Sequence, residues 1–155
     1  MADPFFQLWF AVRYLHVASV ALIAGGALIV AASCLVAPSD SDADPLRAAA
    51  AYEWIFWLLT GAAIVTGVSN LGLKGDGLMA AETTWGRALT MKLTAALVLL
   101  ALSLVRTDFV IRCSAVVGRG RSARIRKVLG ALYGLTVILL LGALWIGLGL
   151  AHGRY

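Results

Sequence analysis

The sequence predicts an all-α membrane protein, an antiparallel bundle of four transmembrane helices, and three observations predict it. Hydrophobic residues make up 61% of the 155-residue chain, charged residues only 14%, and the mean hydropathy is +0.90. A soluble domain carries roughly a quarter charged residues and spreads its apolar positions at intervals. Here the apolar residues fall into four long runs separated by short polar or basic stretches. A run of about 20 residues at ~1.5 Å per residue crosses a hydrocarbon core of ~30 Å. The chain therefore reads as one four-span domain over 1–155.

The first span covers residues 14–37, with no charged side chain and with His16 near its start. Phe5, Phe6, Trp9 and Phe10 precede it as an aromatic collar at the membrane interface. It reads as a retained helix and not a signal peptide. Asp3 is the only charge before Arg13, and the apolar run exceeds the ~7–15 residues of a signal's apolar region. Residues 38–45, Pro-Ser-Asp-Ser-Asp-Ala-Asp-Pro, read as an acidic turn that no helix crosses.

The second span, 54–73, is opened by Tyr52, Trp54 and Trp57 as interfacial aromatics, and Lys74-Gly75-Asp76-Gly77 closes it. Residues 93–105 are continuously apolar but too short to cross alone. A full third span, about 88–111, must include Arg106 and Asp108, which are two apart and so point in different directions on a helix. Arg106 is expected to extend its long stem toward the nearby interface. The fourth span is 131–150.

Orientation follows from the basic residues. The first and third loops hold Arg47, Arg112, Arg119, Arg121, Arg124, Arg126 and Lys127, whereas the opposite side holds Arg13, Lys74, Arg87, Lys92 and Arg154. The stretch 112–127 has six positive charges and no negative one, so it is expected in the cytoplasm, with both termini outside. Beside a span, such a cluster sets topology and touches anionic lipid, and nucleic-acid binding is not expected.

The chain has two histidines, His16 and His152. With four spans, the start of the first and the end of the last share a membrane face, which brings both histidines to similar depth. Arg13 precedes His16 by three residues on one helix face, and Gly142 and Gly149 lie close to the face of His152. A face without side chains lets a porphyrin plane approach the backbone. Arg13, Arg87, Lys92 and Arg154 could pair with propionates. Two imidazoles across the iron would make a low-spin b-type haem suited to electron transfer, with quinone, a periplasmic electron carrier or other subunits of a membrane redox complex as partners.

Copper is the rival ligand, held by His16, His152 and Met91, with Met79 a further option. Cys34 is 18 residues from His16, about 27 Å along a helix, and Cys113 is expected on the opposite side, so neither thiol joins them. A third reading is a structural anchor that binds nothing, because small residues in membrane helices commonly serve close packing. Ser19 lies one turn from His16, but that span has no carboxylate to orient the imidazole for hydrolysis. No CxxC or CxxCH pattern indicates a disulfide framework or a c-type haem.

Thr84-Trp85-Gly86-Arg87-Ala88-Leu89-Thr90-Met91-Lys92-Leu93 resembles the aromatic-Gly-x-x-Leu-x-x-Lys motif that opens a span in the copper resistance protein D family. Leu59-Thr60-Gly61 through Thr66-Gly67-Val68-Ser69-Asn70 is similar to that family's Thr-Gly-containing span, and Arg13 and His16 followed by Gly25-Gly26 are similar in kind to its first. The resemblance covers roughly residues 8–111 and implies a multi-pass bacterial inner-membrane protein linked to copper uptake or resistance. Trp9-x-x-x-Arg13-x-x-His16 also resembles the first helix of bacterial four-helix, haem-binding protoporphyrinogen oxidases. Those carry a Leu-Pro-Arg segment and a second histidine at the far end of that helix, where this chain has residues 27–34 reading Ala-Leu-Ile-Val-Ala-Ala-Ser-Cys. That resemblance implies haem attachment through His16.

Overall fold

The computed structural model describes residues 4–36, 43–72, 83–115 and 122–151. They form α1 (Pro4–Val36), α2 (Ala43–Gly72), α3 (Thr84–Ser114) and α4 (Ser122–Ala151). All four are long and apolar enough to cross a membrane. At 30–33 residues and ~1.5 Å per residue each is about 45–50 Å long, well beyond a hydrocarbon core of ~30 Å. The spans expected from hydropathy are therefore the middles of longer helices.

Two expectations about the second helix are corrected. The acidic turn does not exclude helix to Pro45, because α2 begins at Ala43 and takes Asp44 and Pro45 into its first turn. Proline is tolerated there, where its missing N–H has no helical partner in any case. Tyr52 and Trp57 do not mark a helix entrance. Tyr52 is buried, its hydroxyl donating to the Ile23 carbonyl at 2.7 Å, and the Trp57 indole N–H donates to Thr107 Oγ1 at 3.1 Å. Trp54 alone of the three faces outward. At the start of α3, the Thr83 hydroxyl caps the helix by accepting from the Gly86 N–H at 2.9 Å.

The helices close a ring in which α1 packs on α2 and α4, and α3 packs on α4 and α2. Small residues set the approach. A side chain on Gly26 would run into the Tyr52 ring, and one on Gly130 would come within 3.3 Å of Cys34 Cβ. Specific pairs fix how the helices lie along one another. His16, early in α1, meets Ala63 and Thr66, late in α2, whereas Ile23 meets Tyr52. Late α3 meets early α2 at Arg106 and Glu53, and late α4 meets early α3 at Gly147 and Lys92.

The distribution of side chains inverts that of a soluble bundle. Leu22, Leu58, Val65, Leu97, Ile138 and Trp145 are all more than half exposed. The buried set includes Ser19, Glu53, Thr60, Ser103, Arg106 and Thr136. Lipid accepts apolar side chains at no loss, so polar groups collect where the helices satisfy one another.

Candidate functional site

Two polar clusters occupy the bundle interior. Arg106, expected at the interface, is instead wholly buried. Its Nε donates to Glu53 Oε1 at 2.7 Å, its Nη2 to Oε2 at 3.3 Å, and its Nη1 to Thr136 Oγ1 at 3.0 Å. The Tyr133 hydroxyl donates to Oε1 of the same carboxylate and the Thr107 hydroxyl to Oε2. The guanidinium lies 4.3 Å from the ring centre of Phe56, 4.7 Å from Tyr133 and 5.5 Å from Tyr52. Asp108 turns outward and pairs with Arg112 at 2.7 Å on the exposed side of α3.

The snorkelling expectation failed because it compared Arg106 with the interface and ignored the neighbouring helix. An arginine inside a span calls for an acid at the same depth on another span. Glu53 was the available one, hidden from a hydropathy reading because it stands at the edge of the second apolar run. The signal was in the helix spacing: Glu53, Phe56, Thr60, Ala63 and Gly67 recur at three and four residues and share one face.

The second cluster surrounds His16, which is half-buried on the face of α1 turned to α2. Its Nδ1 lies 2.9 Å from the Ala63 carbonyl and 3.2 Å from Thr66 Oγ1. A carbonyl only accepts, so Nδ1 carries the hydrogen, and the Thr66 hydroxyl is free to accept because its own hydrogen goes to the Ala62 carbonyl at 2.7 Å. The remaining lone pair is on Nε2, which has no hydrogen-bond partner among the described residues. Gly67 gives the ring room, since a Cβ there would lie 3.2 Å from its Cε1. Lys92 is half-buried, within electrostatic range of His16, and lies against α4 where Gly147 leaves space for Nζ. No carboxylate pairs with it among the described residues.

The other sequence-derived candidates fall in several places. His152, Arg154 and Met79 lie outside the described residues. Arg13 is exposed, with its guanidinium 5.3 Å from the Trp9 ring centre. Arg87 and Met91 line a shallow groove on the α3–α4 surface with Thr84, Ala88 and Ile146. Gly142 is exposed and Gly149 half-buried on α4. Cys34 is buried beside Gly130, and both cysteines are free. Among the described residues, no three histidine, cysteine or carboxylate side chains converge as a metal site.

No family model, curated protein or solved structure matches the chain. The functional reading therefore rests on the site itself.

Proposed function

We propose that the chain is a multi-pass protein of the bacterial inner membrane, an antiparallel bundle with both termini on the outer side. In this reading it holds a b-type haem as an electron-transfer subunit or anchor of a larger redox complex. The observation that carries the reading is the His16 ring. A histidine ligand characteristically donates its second ring N–H to a backbone carbonyl, which fixes the tautomer and raises the basicity of the ligating nitrogen. His16 does this through Ala63 and leaves Nε2 for iron.

The donor set fits the group on this side. His16 would hold the iron together with His152. Lys92, with Arg13, Arg87 and Arg154, supplies positive charge for propionates, and Gly142 and Gly149 keep the α4 face low. Haem between two imidazoles exchanges single electrons and keeps no coordination position open for substrate. The chain's own contribution is to hold the His16 ring in one orientation, with the Lys92 ammonium within electrostatic range. Quinone or a periplasmic carrier, together with other subunits, are the partners this requires.

Copper held by His16, His152 and Met91, in a protein of copper uptake or resistance such as the resemblance to the copper resistance protein D family implies, is less well supported. The Lys92 ammonium disfavours a second cation at His16, and Met91 is largely exposed in the α3–α4 groove. Titration of the detergent-solubilised protein with haem and, separately, with Cu(I) distinguishes them. Haem affinity should fall by at least about tenfold, or about 1.4 kcal/mol, in His16→Ala and in His152→Ala. Lys92→Gln should weaken haem and leave Cu(I) unchanged or tighter. Haem affinity indifferent to His16→Ala would refute the reading.

A further inference from the structure

The hydroxyls of the bundle show one irregularity. Thr66, Ser69, Thr90, Thr94, Ser103 and Thr136 each donate to a carbonyl four residues back in their own helix. This is the usual way a hydroxyl is satisfied inside a membrane helix. Thr60 does not: among the described residues its buried Oγ1 has no hydrogen-bond partner, in a residue only 9% exposed. An unsatisfied buried hydroxyl carries a desolvation penalty, and ordered water is the usual remedy.

The place of Thr60 gives the irregularity meaning. The α1–α2 contact is fixed at His16 with Ala63 and at Gly26 with Tyr52. Between those two crossings the chain directions bring Ser19, which is 6% exposed, level with Thr60. Ser19 thus sets a second buried hydroxyl at the level of the unpartnered Thr60 Oγ1. Thr60 also shares a helix face with Glu53 on one side and with Ala63 and Gly67 on the other, two turns or less from the His16 contacts. On α3, the buried Ser103 stands one turn from Arg106 on the side toward Lys92.

We propose that Ser19 and Thr60 bind internal water, and that this water links the His16–Lys92 end of the bundle to the Glu53–Arg106–Tyr133 network. The ligand is water, and the activity is proton exchange along a hydrogen-bonded path. The path opens on one membrane side only. Beyond the ion pair the interior is closed by Val30, Cys34, Leu46, Val110 and Leu129, all buried and none offering a hydrogen-bond chain. Protons therefore reach Glu53 from the His16 side and go no further. This does not depend on what His16 ligates.

Hydrogen exchange at Arg106 is the test, since it is the single arginine fully buried among the described residues. The full-length protein, labelled with 15N-arginine in lipid nanodiscs, is transferred to deuterated buffer and the Arg106 Nε–H signal is followed by NMR. Thr60→Val, which keeps the shape and removes the hydroxyl, should slow exchange roughly tenfold or more, and Thr60→Ser should leave it within about twofold of wild type. A structure of the wild-type protein that resolves water should place one within hydrogen-bond distance of Thr60 Oγ1. Equal exchange in Thr60→Val and wild type would overturn the proposal. So would a Thr60 hydroxyl found donating to the Phe56 carbonyl of its own helix with no water beside it, a result that also decides the matter if the valine variant does not fold.

Discussion

A guanidinium left unpaired in a membrane interior is unfavourable by several kcal/mol, and Arg106 avoids this by giving each of its three nitrogens an acceptor and lying over three aromatic rings. The reciprocal holds for Glu53, whose two oxygens receive donors from Arg106, Tyr133 and Thr107. The pair is therefore worth little in net terms, because desolvating two charges offsets most of their attraction, yet removing one partner strands the other. Glu53→Gln or Arg106→Met alone should destabilise the protein by about 3–5 kcal/mol, and the double variant Glu53→Leu with Arg106→Met should recover most of that loss. Denaturation in detergent followed by circular dichroism measures all three. A double variant no more stable than the singles would mean that the network supports the fold by more than mutual neutralisation. None of this was legible from Arg106 alone, because a lone basic residue near a span's end looks the same whether it snorkels or pairs.

At the scale of the helix, adjacent glycines on α1 serve different ends. Gly26 is where the Tyr52 ring lies on the backbone, with Cδ2 2.7 Å from where a Cβ would stand, and the ring cannot retreat without giving up its bond to Ile23. Gly25 has nothing within 4 Å. Gly26→Ala should destabilise by about 1–3 kcal/mol through overpacking, whereas Gly25→Ala should be neutral or stabilise by up to about 1 kcal/mol through helix propensity. Thermal unfolding of the two variants side by side checks this, and equal effects would contradict the packing. The existence of four helices was plain from apolar run length. Their bounds were not, because hydropathy reports where lipid is and the backbone continues helical past it; hence α2 starts at Ala43, ahead of the expected 54, and carries Tyr52 and Glu53 inside.

For the whole molecule, sequence and structure agree on four long apolar helices and differ on where the polar chemistry lies. The sequence directed attention to His16 and to cations near one membrane face. The structure adds what that face holds in place, an imidazole tied by Nδ1 to Ala63, and adds the Glu53–Arg106 network at another level of the same interior. Such cross-helix partnerships depend on register between helices, which no single run of residues encodes. The most direct measurement of the central claim is the reduced-minus-oxidised absorption spectrum, with metal analysis, of the protein purified from its membrane. The account predicts a low-spin b-type haem spectrum, iron near one per chain on the order-of-magnitude scale of such assays, and loss of that spectrum in His16→Ala with the helical content unchanged. A colourless protein, or a haem spectrum that survives His16→Ala, would contradict it.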